Sequence, residues 1–142
     1  MVTTSVEGII AQRIDLVFSF MRNLETMKDY NFSIRKSQWS SDAKNSADIS
    51  INLSVIQLDG LYKIQEEIPN QKFVCSFGSS SVSFVDTYRF EKVSEKETRV
   101  FIEDRMELKG LLKFSEFLVG GFLKDGMEKN LKSLQSILEK ME

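Results

Sequence analysis

The sequence has no histidine, one cysteine (Cys75), one proline (Pro69) and one tryptophan (Trp39) in 142 residues. Each shortage removes a class of function. A single cysteine cannot close an internal disulfide, and without histidine the usual zinc and haem ligand sets are missing. Any proton transfer must use Asp, Glu, Lys or Tyr, because the commonest side-chain base is absent. No Asp-rich loop suggests a carboxylate-only metal site, so neither a metal nor any other cofactor is expected. No run approaches about 18 consecutive apolar residues, which leaves out a transmembrane segment. The start, Met1 to Ser5, lacks the basic and apolar blocks of a signal peptide, so a cytoplasmic location is expected. Charge of one sign is scarce too: the net charge is −2, and the lysines are interleaved with acids. Phosphate binding needs a clustered basic face, so nucleic acid is not an expected partner.

What remains is enough for one ordinary domain, residues 1–142, with a core of its own. Its organising stretch is Leu111 to Glu142. From Met127 the apolar positions run Met127, Leu131, Leu134, Leu138 and Met141, a spacing that draws one stripe along a helix. Asp125 with Lys129 and Glu128 with Lys132 place acid four residues ahead of base on the wet side. Upstream, Leu111, Leu112, Phe114, Phe117, Leu118, Val119, Phe122 and Leu123 are too apolar for a half-exposed helix, so several of its faces should be covered. Gly120 and Gly121 interrupt this segment and predict a kink or a close backbone approach.

The rest reads mostly as strands. Ser5 to Ala11 is a first strand. Asp15 stands as an N-cap before Leu16 to Asn23, and Leu24 to Tyr30 adds a helical turn or two. Phe32 to Trp39 is a weak strand. Ala47, Ile49, Ile51, Leu53 and Val55 alternate with polar residues, a strand with one buried face. Asp59-Gly60 and Pro69-Asn70 read as turns around strands at 61–68 and 73–77, and Gly78 to Ser81 as a loop. Val82 to Lys92 and Thr98 to Leu108 read as a hairpin. Hairpin-linked strands followed by an over-apolar helix predict an α+β fold: a curved antiparallel sheet of about seven strands wrapped on the C-terminal helix, with one or two short helices after the first strand.

Within the 82–108 hairpin, alternation puts Phe84, Asp86 and Tyr88 on the face of Phe90, and Ile102, Asp104 and Met106 on that of Val100. Pairing Phe90 with Val100 sets Asp86 opposite Asp104; a shift of two sets Tyr88 opposite Asp104. Both registers gather two acids and a phenol, the candidate catalytic set Asp86, Tyr88 and Asp104. The alternative is that these acids lie at a cavity mouth or pair with Arg89, Arg105 or Lys63. Tyr62, Ile64 and Glu66 form another candidate inward row, with Glu67 expected outside. Trp39, Tyr30 and Phe32 are aromatic candidates for one end of a cavity, and Cys75 reads as a small buried hydrophobe.

This order of elements resembles the helix-grip fold of the START-like superfamily, which includes the polyketide cyclase/dehydrase and lipid-transport family. The local matches are Ile9-Ile10, Asp15-Leu16-Val17-Phe18, Asn23 to Tyr30, the strand, proline turn and strand at Ile64 to Phe73, and Thr98-Arg99-Val100. Departures are Gln12-Arg13-Ile14, where prolines are common, and the short Gly78 to Ser81 segment. The resemblance implies an apolar cavity between sheet and helix for a hydrophobic small molecule such as a lipid, isoprenoid or polyketide. Phe114, Phe117, Leu118 and Phe122 would line it from the helix, opposite the strand residues named above. Three functions stay open: a binding or transport protein, a cyclase- or dehydratase-like enzyme, and a protein-interaction module, with a homodimer or protein partner for the last.

Overall fold

The computed structural model describes residues 1–53 and 56–141; the side chains of Ile56 and Phe117 lie outside that description. Seven strands form one curled sheet: β1 (Val2–Ile10), β2 (Ile34–Trp39), β3 (Ser46–Leu53), β4 (Ile56–Ile68), β5 (Lys72–Gly78), β6 (Val82–Ser94) and β7 (Glu97–Leu108). Their order is β1-β7-β6-β5-β4-β3-β2, and every neighbouring pair is antiparallel. After β1 come helix α1 (Ile14–Arg22), a short 3₁₀ turn (Leu24–Thr26) and α2 (Met27–Tyr30). A second 3₁₀ stretch (Gly110–Ser115) leads into the long helix α3 (Glu116–Glu139). Among the described residues, no helix is long and apolar enough to cross a membrane.

The two-residue periodicity decides which face closes. In β3, Ala47, Ile49, Ile51 and Leu53 are buried, while Val55, the last of that predicted row, lies outside the described residues. In β6 the inward row is Val82, Phe84, Asp86, Tyr88 and Phe90. One end of the cup is filled by aromatic rings. Phe18 of α1 meets Phe73 and Phe90 edge-on at 5.8 and 5.2 Å, and Phe73 stacks on Tyr88 at 4.4 Å. Each such buried ring is worth about 1.5–3 kcal/mol from its area alone. The other wall is α3, whose Leu131, Leu134 and Leu138 are buried.

Several expectations are corrected. Asp59 and Gly60 do not turn the chain. They lie inside β4, where Ser50 and Asp59 share a 2.5 Å hydrogen bond and a Cβ on Gly60 would sit 2.7 Å from the Phe77 ring. Asp15 is not the N-cap. That position is Arg13, and Asp15 stands in the first turn, paired with Arg13 at 2.9 Å. There it complements the positive end of the helix dipole. Helix α3 starts five residues later than the apolar pattern suggested and runs through Gly120 and Gly121 unbroken. Its apolar approach is not wrapped: Leu111, Phe114 and Leu118 are 87%, 86% and 73% exposed. The sheet does not reach this overhang, so the apolar pattern there reflects surface rather than core.

The C-terminal end of α3 is tied to the β1–α1 junction. The Gln12 amide donates to the carbonyls of Leu138 and Met141 at 3.0 and 2.9 Å, and Glu139 accepts from the Ala11 amide at 2.8 Å. Gln12, one of the departures noted above, thus adds a side-chain donor to the last carbonyls of the helix.

Candidate functional site

Between the sheet and the first half of α3 lies a cavity of about 90 Å³. Its floor is sheet: Ile49 and Ile51 of β3, Phe84, Asp86 and Tyr88 of β6, and Ile102, Asp104 and Met106 of β7. Its roof is Phe122, Leu123, Gly126, Met127 and Asn130 of α3, and its rim is Met27 and Tyr30 of α2 with Asn31, Ser33 and Ile34. The volume is below the several hundred Å³ of a typical ligand cleft. A molecule that fits without rearrangement is therefore small, a single ring or a short chain.

The polar floor is set by register. Phe90 pairs with Val100, which places Asp86 directly opposite Asp104; the alternative shift, with Tyr88 opposite Asp104, does not occur, and Tyr88 faces Ile102. Directly opposed residues have Cβ atoms roughly 4.5–5.5 Å apart, so the two carboxyls meet. Both residues are only 8% exposed. From β4 the fully buried Tyr62 hydroxyl donates to Asp86 Oδ2 at 2.5 Å and lies 2.7 Å from the Tyr88 hydroxyl. Asp86 Oδ1 and Asp104 Oδ1 are buried without a donor.

Electrostatics follows from that arrangement. Burial, the Asp86 charge and a hydrogen bond with Asp86 hold the Asp104 carboxyl well above the usual carboxylate range. Burial also raises Asp86, but hydrogen bonds from Asp104 and Tyr62 oppose the rise. The two carboxyls therefore titrate as a pair that burial holds toward its protonated form, Asp104 the more strongly. Burial, followed by the Asp86 charge, pushes the Tyr62 and Tyr88 phenols up, so both stay neutral donors. Cys75, opposite Asp86 in β5, is raised by the same two causes, burial first, and is an inert thiol.

Of the predicted cavity residues, Phe84, Asp86, Tyr88, Ile102, Asp104, Met106 and Phe122 line the void. Tyr62 stands behind it and reaches it only through Asp86 and Tyr88. Ile64 is half-buried against the core, away from the void. Glu66 is turned outward, where it pairs with Lys72 at 3.0 Å. The cause is a bulge between Ile64 and Glu66, which reverses the alternation of β4. Glu67 is exposed, as expected; it stands opposite Phe73 in the ladder and pairs with Arg22 at 2.9 Å. Phe114 and Leu118 are exposed and line nothing, and Phe117 lies outside the described residues. Of the aromatic candidates, Tyr30 lines the rim, Phe32 is 70% exposed and Trp39 lies under the Arg22 guanidinium at 5.7 Å.

The residues missed lie mainly on the rim and α3. Asn130 left a signal: it is the polar residue on the Met127–Leu131–Leu134 face. Its Oδ1 accepts from the Phe32 amide at 3.0 Å and joins α3 to the approach to β2.

Three solved structures share this architecture almost end to end. A START superfamily protein from Mycobacterium smegmatis superposes with a TM-score of 0.82 at 10% identity, covering 97% of both chains. The fold is START-like. The START-like sheet and helix also match a conserved protein from Geobacillus kaustophilus, with TM-score 0.80, 11% identity, and 98% and 96% of the two chains covered. A Streptomyces aromatase/cyclase matches with TM-score 0.76 at 10% identity over 97% of this chain and 93% of its own. No protein-family model and no curated protein matches the sequence. At such identities the shared feature is the START-like fold, and chemistry must be argued from the site.

Proposed function

We propose that the protein binds a small, mostly apolar molecule in the cavity under α3, with the molecule's polar end on the Asp86–Asp104 pair and the Tyr88 hydroxyl. The observation that carries this reading is an apolar-walled void whose floor holds two facing, buried carboxyls with no basic side chain among its lining. A core built for stability alone would leave neither the space nor two facing acids. A cytoplasmic binding protein or carrier is the role that fits, and its cargo is smaller than a two-chain lipid. The test is native mass spectrometry of protein purified from its own host, followed by extraction of any retained molecule. A stoichiometric adduct released by organic solvent is expected; a clean unliganded spectrum, with no small-molecule stabilisation across a fragment panel, would sink the reading.

A second reading, a cyclase- or dehydratase-like step, is favoured by one observation: two carboxyls face each other at the cavity floor, Asp86 bonded to the Tyr62 phenol and Asp104 held toward its protonated form by burial. A neutral acid can protonate a carbonyl oxygen or a departing hydroxyl while Asp86 accepts a proton. Turnover of a retained carbonyl compound that stops in Asp104→Asn, with binding still measurable, would favour this reading over simple carriage.

A further inference from the structure

We propose that the molecule bound in this cavity is a small apolar amine, taken as its ammonium ion and seated on the Asp86–Asp104 pair. The proposal rests on the reading that the cavity binds a small molecule, and it names the class. Two carboxyls face each other in a buried place, an arrangement that a bound cation would complement. No lysine or arginine lines the cavity, and among the described residues no ion pair includes Asp86 or Asp104.

The groups that face the pair are neutral on every side. They are Thr4 of β1, aligned with Asp104, Tyr62 of β4, Cys75 of β5, Tyr88 of β6, Tyr30 of α2 and Asn130 of α3. The charges that act on Cys75 from beyond, Arg22 and Glu67, pair with each other at 2.9 Å. Buried carboxyls with no counter-charge are held toward their neutral form, and a ligand cation would supply the missing partner and draw a proton off the pair. An ammonium supplies three donors, enough for Asp86 Oδ1, Asp104 Oδ1 and a phenol oxygen. The walls suit the remainder of such a molecule. Phe84, Tyr88 and Tyr30 line the cavity, and aromatic rings attract a cation as well as apolar surface. An anionic ligand would meet two acids, and a neutral alcohol supplies no counter-charge to either.

The experiment is calorimetric titration of the intact protein with matched probes: butylamine, hexylamine and benzylamine, each beside the alcohol of the same carbon skeleton, with benzoate as the anion. At least one amine should bind roughly tenfold or more tightly than its alcohol, the margin between charge-assisted and neutral hydrogen bonds. Binding should release protons near neutral pH, read from titrations in buffers of different ionisation heat, because the ammonium favours ionised Asp104. Asp86→Asn and Asp104→Asn should each lower amine affinity toward that of the alcohol, and thermal melts of both variants show whether they are folded. Alcohols binding as tightly as amines, or benzoate binding best, would overturn the amine assignment and leave the cavity-binding reading standing. If no probe binds, or if amine binding survives when Ile102→Trp fills the cavity, both fall.

Discussion

Asp104 is a residue that folding makes harder to ionise, and the consequence is a pH dependence of stability with a definite sign. Below about pH 4 both the folded and the unfolded chain carry its proton, and the site costs nothing. As pH rises, the unfolded chain ionises first, so stability is lost progressively until the pH passes the raised value in the folded protein. Glu116 acts in the opposite direction: the Met1 ammonium, 3.0 Å away, lowers its carboxyl, so its contribution disappears on acidification. Comparing wild type with Asp104→Asn isolates the first effect. The variant should lose the decline between about pH 4 and neutrality, and since each pKa unit is worth about 1.4 kcal/mol, it should gain at least that much near neutral pH. Urea unfolding midpoints across this range are the measurement. Parallel profiles for the two proteins would mean that Asp104 ionises freely in the fold.

At the scale of elements, glycine shows how far local sequence can be read. Asp59-Gly60 has turn composition, yet its glycine serves a crossing: the Phe77 ring, stacked on Phe84 at 4.9 Å, occupies the space a Cβ would need. Gly60→Ala should therefore cost about 1–3 kcal/mol through displaced rings. Gly121→Ala, where a Cβ meets nothing within 4 Å inside α3, should gain about 1 kcal/mol from helix propensity. Equal midpoints for the two variants in denaturant titrations would remove the packing explanation. The same distinction marks what was legible. Alternation identified the inward faces of β3, β6 and β7, and with them Asp86, Tyr88 and Asp104, because a pleated strand has only two faces. It failed in β4, where an extra residue in the bulge sends Glu66 outward, and no composition signal marks that residue. The helical pattern failed at Gly110–Ser115, where Gly110 at φ +62° leads into a 3₁₀ turn and the apolar residues that follow lie largely on the surface.

For the whole molecule, the unequal anchoring of α3 decides how the cavity can be reached. Its second half buries Leu131, Leu134 and Leu138, and Gln12 and Glu139 fasten its end to the β1–α1 junction. Its first half, the part over the cavity, has Leu123 as the buried side chain among its described residues and carries Gly120, Gly121 and Gly126. The ties there are the Met1–Glu116 ion pair, Lys124 on the Ser5 carbonyl and, just beyond, Asn130 on the Phe32 amide. Segments with few buried contacts open at lower free energy than the global unit. Amide exchange should accordingly be faster in Glu116–Gly126 than in Met127–Leu138 by at least about tenfold, since a difference of only 1.4 kcal/mol in local opening produces that ratio. A ligand held between Asp86 and the roof residues Phe122, Leu123 and Gly126 adds contacts mainly to the weaker half. Its binding should slow exchange there and leave the far end unchanged. Uniform protection along α3 in the unliganded protein would show that the helix moves as one rod, and the cavity would then have to fill through the rim at Tyr30 and Ser33.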